Sequence, residues 1–327
     1  MTEDEKYMRR CLQLARHGEF TTAPNPMVGA VIVHQGRIIG EGWHRQYGGP
    51  HAEVNAVRSV RPKDETLLAE STIYVSLEPC SHWGKTPPCA ELLVEKGFKR
   101  VVVGCLDPNE KVAGRGIRRL REAGAEVIVG VLEKECWWLN RKFMTFHTKH
   151  RPYITLKWAQ SADGFIDRRR QSRDDGEPVH FSTAWTQTLV HRLRATHEAI
   201  LVGRRTWELD QPSLTTRLWS GKSPRRMVIE NGKLRILEVS SEQARAENFA
   251  GAHQYEEQSA ASHFNFQFSI CSSILVEGGA QTLQSFIDAD LWDEVFIEQS
   301  DLVLGDGVRA PELKIEPKGR PVHVNFA

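Results

Sequence analysis

The chain is expected to fold as two consecutive α/β domains that divide near residue 150. Its 327 residues exceed the roughly 100–200 of a typical domain. Apolar strand-like runs alternate with helical stripes twice over, a pattern of sheets covered by helices. Between the two series lies His147-Thr148-Lys149-His150-Arg151-Pro152, a polar stretch that ends in proline, as linkers do. The domains are accordingly drawn as 1–147 and 148–327.

Each element has its own signal. Tyr7, Met8, Cys11, Leu12, Leu14 and Ala15 recur at helical spacing over 4–17. Val28–Val33 and Ile38–Gly40, joined around Gln35-Gly36, predict a hairpin. His51–Val60 predicts a helix that Arg61-Pro62 ends, and Ile73–Leu77 a strand. Pro88 suits the first helical position before Cys89–Val94. Val101–Gly104 and Glu126–Val131 read as strands, Gly116–Ala123 and Glu133–Phe146 as helices. In the second half, strands are expected at Tyr153–Trp158, Ala199–Gly203, Arg226–Ile229, Ile274–Glu277 and Glu294–Glu298. Helices are expected at Thr183–Thr196, with Leu189, Val190 and Leu193 inward, and at Ala280–Ala289. Residues 231–269 are polar and without a clear period, and Arg168-Arg169-Arg170 reads as a solvated loop.

Composition narrows the function classes. Apolar residues make up 40% and charged residues 26%, a globular balance. Residues 1–150 are net +4 and the remainder net −3, so neither half has the basic body of a general nucleic-acid binder. No apolar run approaches the roughly 18 residues of a membrane span. The opening Met1-Thr2-Glu3-Asp4-Glu5-Lys6 lacks the apolar core of a signal peptide, so a cytoplasmic protein is expected. Of six cysteines, Cys11, Cys105, Cys136 and Cys271 have apolar neighbours and read as core thiols.

The other two belong to a constellation: His51-Ala52-Glu53, Pro79-Cys80 and Cys89. One imidazole and two thiolates make three zinc ligands and leave a fourth position for water. Cys80 and Cys89 bracket a predicted helix start, whose positive end favours thiolate. Zinc nucleobase deaminases carry His-x-Glu and Pro-Cys-x-x-Cys, with Glu as the acid/base. Here eight residues separate the cysteines instead of two. Three readings stand: a structural zinc site with His82 as fourth ligand, no metal, or a deaminase with an enlarged loop, which the set favours. Glu53, two residues from a ligand, is the candidate acid/base.

The loop Pro79-Cys80-Ser81-His82-Trp83-Gly84-Lys85-Thr86-Pro87-Pro88-Cys89 resembles that of the bifunctional riboflavin-biosynthesis deaminase/reductase family. So do Pro24-Asn25-Pro26-Met27-Val28-Gly29, Gly49-Pro50-His51-Ala52-Glu53-Val54 and Asp107-Pro108-Asn109-x-x-Val112-x-Gly114-x-Gly116. The resemblance implies a cytidine-deaminase-like α/β/α domain. It implies zinc-assisted deamination of 2,5-diamino-6-ribosylamino-4(3H)-pyrimidinone 5′-phosphate, with substrate contacts from Asn25, His44, Lys85, Asp107 and Asn109. Asn and Asp also favour turns for their own sake.

No GxGxxG follows a strand in 151–327; Glu277-Gly278-Gly279 stands at a strand-to-helix turn instead. That stretch matches the family's reductase half, in order with four others. These are Lys157-x-x-x-Ser161-x-Asp163-Gly164, Leu193-Arg194-Ala195, Ala199–Gly203 and Thr206-x-x-x-Asp210-x-Pro212-x-Leu214-Thr215-x-Arg217. The resemblance implies a dihydrofolate-reductase-like α/β domain using NADPH to turn ribosyl into ribityl. Arg194 and Arg217 are the implied phosphate contacts. Leu214 and Glu277 are further substrate contacts, Lys157 and Asp210 catalytic residues. Ala159, Thr206, Asp210, Gly278, Gly279 and Ala280 are implied at the cofactor, and Arg204-Arg205 is a candidate 2′-phosphate site. Two departures stand out: Pro178-Val179-His180-Phe181-Ser182 replaces the family's Ser-x-Trp, and Gln211 a second Asp. The implied ligand is thus a small phosphorylated pyrimidine, with no nucleic acid or membrane partner, bound by a homo-oligomer. The competing readings are a deaminase beside a degenerate reductase, a deaminase of another nucleotide or of tRNA, and a non-catalytic zinc protein.

Overall fold

In the computed structural model the described residues are 1–81, 87–108, 113–230, 233–237 and 271–313, with the backbone of 322–326. The chain divides into two compact units, Met1–Arg151 and Pro152–Ala327.

The first unit opens with α1 (Glu3–Ala15), started by a capping box in which Thr2 and Glu5 exchange side-chain-to-backbone hydrogen bonds. The hairpin is β1 (Gly29–His34) and β2 (Arg37–Trp43). Gln35 and Gly36 both take positive φ, 47° and 77°, the turn whose twist matches the flanking strands. There follow α2 (Ala52–Arg58), β3 (Thr72–Leu77), α3 (Cys89–Glu95), β4 (Arg100–Cys105), α4 (Arg115–Glu122), β5 (Glu126–Val129), α5 (Glu133–Leu139) and α6 (Arg141–Lys149). The sheet runs β2-β1-β3-β4-β5, antiparallel through β1 and parallel from β3 onward.

Strand alternation divides the core in two. Ala30, Ile32, Ile73, Val75, Val101 and Val103 pack against Ala52 and Ala56 of α2, Ala90 and Leu93 of α3, and Leu120 of α4. Val31, Val33, Tyr74 and Val102 face the other way, toward α1, Cys136 of α5 and Met144 of α6. This is the expected α/β/α layering. One element differs: the single helix expected over 133–146 is two helices broken at Asn140. The second continues to Lys149, so the polar stretch begins as helix and leaves it at His150, where φ is 51°.

The second unit contains β6 (Tyr153–Gln160), β7 (Phe165–Asp167), α7 (Ala184–Ala195), β8 (Ala199–Gly203), α8 (Arg204–Asp210) and β9 (Arg225–Glu230). It continues with β10 (Lys233–Ile236), β11 (Ser273–Val276), α9 (Ala280–Asp288), β12 (Glu294–Gln299), β13 (Val308–Arg309) and β14 (Val322–Phe326). Seven strands order as β10-β9-β8-β11-β6-β12-β14, all parallel except β10 against β9, and β7 pairs with β13 apart. β10 comes from the stretch that sequence left unplaced; 238–270 lies outside the described residues. In α7 the buried positions are Thr186 and His191, while Leu189, Val190 and Leu193 are half-buried. The helix turns Gln187, Val190, His191 and Arg194 toward a cavity rather than into a closed core. The arginine run is not uniformly solvated either: Arg170 is buried, paired with Asp167 and Asp210.

Candidate functional site

In the first unit the strand-to-helix connections at one end of the sheet bring the zinc constellation together. His51 is the N-cap of α2, which places Glu53 in the first turn, pointing inward and buried. Cys80 lies in the loop after β3, and Cys89 is the first residue of α3. The His51 Nδ1 lies 3.5 Å from Cys80 Sγ and 3.3 Å from Cys89 Sγ, and the three ligand atoms fall within 4.8 Å of one another. The Cys89 backbone N–H donates to Cys80 Sγ at 3.3 Å, so the start of α3 stabilises that sulfur as an anion.

The electrostatics of the four groups interlock. Hydrogen bonds from Cys89, with His51 adding to them, hold the Cys80 thiol down at about 4. The bond to Cys80 lifts His51 to about 9. Cys89 is pushed upward by its bond to Cys80 and by burial. Burial, with the Cys80 charge behind it, raises Glu53 to about 7. By contrast burial pushes Cys136 and Cys271 up to about 12, as inert core thiols require. A nitrogen and two soft sulfurs at this spacing fit a tetrahedral zinc with one position open, and a divalent cation would displace the remaining thiol proton.

His44 and Asn25 stand beside this cluster. The His44 ring meets the His51 ring edge-on at 5.5 Å. Its Nδ1–H donates to the Pro50 carbonyl at 3.0 Å, so Nε2 is the acceptor facing the Asn25 Nδ2 at 3.2 Å. Burial keeps this imidazole below its usual value, and hence neutral. The Asn25 carboxamide is thereby aimed, and its Oδ1 takes no hydrogen bond among the described residues. Asp107 follows β4, and its N–H donates to Glu78 Oε2 at 3.4 Å. Lys85, Asn109 and His82 lie outside the described residues.

Two anchors escaped the sequence reading. The buried Glu78 carboxylate accepts N–H groups from Asp107, Gly114, Gly116 and Ile117, at 3.4, 3.0, 3.0 and 3.4 Å. It ties the Asp107 loop and the start of α4 to the strand end that carries Pro79-Cys80. Asn140, also buried, takes the Met27 N–H on Oδ1 at 2.8 Å and gives Nδ2–H to the Met27 carbonyl at 2.9 Å. It fastens the Asn25 loop from the far side. The only sequence signal for either was a polar residue at a strand end and one inside a helical run.

The second unit has a cavity of about 1130 Å³ at the carboxyl ends of β8, β11 and β6, where parallel sheets hold ligands. Lys157, Ala159, Arg194, Thr206, Asp210, Arg217, Glu277, Gly278, Gly279 and Ala280 all line it. Two strand-to-helix turns abut here. A Cβ on Gly278 would meet the Gly203 nitrogen at 2.7 Å, and one on Gly203 would meet Thr282 Oγ1 at 2.3 Å, so both must be glycine for the turns to close on each other. The Gly279 N–H donates to Thr206 Oγ1 at 3.0 Å.

The polar groups are already paired. Arg194 grips Glu277 with two bonds of 2.9 and 2.6 Å and gives Nη1–H to the Thr215 carbonyl at 3.1 Å. Arg170 donates to Asp210 at 2.6 Å and to Asp167, whose other oxygen takes the Val179 N–H. This network pins the 178–182 segment, which lines the cavity where the family pattern was not met. Arg204 reaches Glu208 and Glu230, and Arg205 the Arg170 carbonyl at 2.6 Å. Leu214 alone of the expected contacts is not in the lining. At φ 52° its side chain packs with Ile200, Val202, Val228 and Leu275, because an apolar side chain gains more from that core than from a wet cavity.

Comparison with known proteins gives the family of each unit. Residues 1–105 match the cytidine and deoxycytidylate deaminase zinc-binding region, and residues 152–262 the RibD C-terminal domain. The riboflavin biosynthesis protein RibD of Aquifex aeolicus (strain VF5) is 36% identical, over 95% of this chain and 91% of its own length. That of Bacillus amyloliquefaciens is 36% identical over 95% and 87%. The crystal structure of a diaminohydroxyphosphoribosylaminopyrimidine deaminase/5-amino-6-(5-phosphoribosylamino)uracil reductase from Thermotoga maritima superposes with a TM-score of 0.75 at 34% identity, covering 97% of this chain and 93% of that one. Acinetobacter baumannii RibD gives 0.75 at 30% identity, covering 96% and 92%. A deaminase unit with a three-ligand zinc cluster, joined to a RibD-type reductase unit and similar to these relatives over nearly its whole length, makes this chain a member of the bifunctional RibD family of riboflavin biosynthesis.

Proposed function

We propose that the first unit deaminates 2,5-diamino-6-ribosylamino-4(3H)-pyrimidinone 5′-phosphate and that the second reduces the ribosyl group of the product to ribityl with NADPH. The observation that carries the first step is the buried Glu53 beside a three-ligand cluster. His51, Cys80 and Cys89 hold zinc, which when bound supplies the Lewis acid that activates water. Glu53, buried beside the ligand cluster, passes a proton to the amino group that leaves as ammonia. Asn25, aimed by neutral His44, and Asp107, held by Glu78, grip the pyrimidine edge. Lys85, in the long loop a ribose phosphate can reach, and Asn109 are the further substrate contacts that the family resemblance implies.

For the second step the cavity volume suits a dinucleotide with a substrate beside it. Thr206, Ala159 and the Gly278-Gly279-Ala280 turn hold the cofactor, and Arg204-Arg205 accept its 2′-phosphate. Reduction adds a hydride at C1′ of the sugar and a proton at its ring oxygen, which opens the ring. Lys157, Asp210 and Glu277 surround that sugar. Arg194 is committed to Glu277 and Thr215, so Arg217, bonded to Ser213 Oγ at 2.6 Å, carries most of the phosphate binding. The protein works in the cytoplasm as a homo-oligomer.

The test is ammonia release from the pyrimidinone phosphate, with and without NADPH. Wild type releases ammonia and then oxidises NADPH. Glu53→Ala keeps its zinc and loses deamination by roughly 10²–10⁴-fold. Normal deamination by Glu53→Ala refutes the first step; no NADPH oxidation on the deaminated product refutes the second.

A further inference from the structure

Behind the cavity wall of the second unit sits an acidic residue that the reading above does not use. β12 runs beside β6 with Phe296 opposite Lys157 and Glu298 opposite Ala159. The Glu298 Oε2 lies 3.8 Å from Lys157 Nζ and takes the Ser182 hydroxyl hydrogen at 2.7 Å. Both side chains are deeply placed, 7% exposed for Glu298 and 13% for Lys157. Lys157 and Ser182 line the cavity and Glu298 stands behind them. Its second oxygen, Oε1, is buried and accepts no hydrogen bond among the described residues.

A carboxylate placed only for packing would be a poor choice here. One bare buried oxygen costs stability, and an apolar side chain of the same size avoids that cost. The charge has an evident object in Lys157. At 3.8 Å the pair is an ion contact rather than a hydrogen bond, so the ammonium keeps its three N–H donors for the cavity. The bond to Ser182 joins the wall segment 178–182 to the same carboxylate.

We propose that Glu298 is a positioning residue of the reductase site: it holds the Lys157 ammonium and the Ser182 wall in the single arrangement that receives the sugar of the substrate. The inference rests on the reductase reading above.

NADPH oxidation on the deaminated pyrimidine phosphate is compared for wild type, Glu298→Gln, Lys157→Met and the double variant. Glu298→Gln lowers kcat on the order of 10–100-fold with the KM for NADPH unchanged, and in the Lys157→Met background it has no further effect. Deamination stays at the wild-type rate, and the unchanged KM for NADPH reports intact folding of the second unit. Amine-reactive labelling followed by peptide mass needs no turnover, and labelling of Lys157 rises severalfold in Glu298→Gln. Wild-type kcat in Glu298→Gln, additive losses in the double variant, or unchanged Lys157 labelling overturns the assignment. A wild type that does not oxidise NADPH while the labelling shift is present overturns the reductase reading, and the assignment of Glu298 to a reductase site falls with it, although its contact with Lys157 is real.

Discussion

Replacing Asn140 by Ala tests whether the deaminase site depends on a clamp far from its chemistry. The substitution removes the bonds of 2.8 and 2.9 Å to the two backbone groups of Met27. Each neutral hydrogen bond contributes about 1 kcal/mol, so the loss is about 2 kcal/mol, and more if water fails to reach the freed groups. For a unit of this size that lowers the thermal midpoint by about 4–8 °C. Asn25 lies two residues from Met27, so its carboxamide drifts from the line to His44 Nε2. The KM for the pyrimidine should rise about tenfold, since tenfold corresponds to about 1.4 kcal/mol of lost contact, while zinc content stays at wild-type level. Asn140→Asp sharpens the point, because it keeps the acceptor for the Met27 N–H and sets a second oxygen against the Met27 carbonyl. The assays are thermal unfolding, metal analysis and deaminase kinetics on the same preparations. An Asn140→Ala protein with unchanged midpoint and unchanged KM would refute the clamp.

Chelating zinc should abolish ammonia release and lower the first unit's midpoint, since a ligand at 100 times its Kd stabilises by about 2.7 kcal/mol; NADPH oxidation on the deaminated product should persist, and added zinc should restore deamination. Gly116→Ala places a Cβ 2.0 Å from the Pro79 carbonyl oxygen, so the Cys80 loop must move; overpacking of this kind costs about 1–3 kcal/mol, and a zinc titration should show weakened binding. Burial, and then Arg194 and Arg217, hold the His191 imidazole below its ordinary 6.5. The unfolded chain therefore takes up that proton first. The stability from neutral His191 is complete above about pH 6.5 and is lost as pH falls through the folded value. Unfolding midpoints measured against pH should show this fall, and His191→Gln should flatten it.

The clustering of His51, Cys80 and Cys89 beside Glu53 was legible because its pattern is local. His51 and Glu53 share one helical turn, and Cys89 opens a helix whose start a proline marks. The alternating strands were legible for the same reason, since Val31 and Ile32 must face opposite layers whatever surrounds them. The break at Asn140 was not legible. A helical run of polar and aromatic residues gives no reason to stop there, and the reason lies in Met27, 113 residues earlier. Arg170 misled in the same way, because its pairing with Asp210 spans 40 residues while its neighbours Arg168 and Arg169 are exposed.

Residue types and their short-range spacing were enough for the two α/β units, the zinc donor set and the order of the reductase motifs. Those features depend on period, on caps and on which atoms can bind a metal, all of which act over a few residues. Folding added the pairings between distant segments. Glu277 engages Arg194, Leu214 turns into the core, Glu78 gathers four backbone donors, and Glu298 comes to rest behind Lys157. Charges and hydrogen bonds act through space, so their partners are known only once the strands are in register.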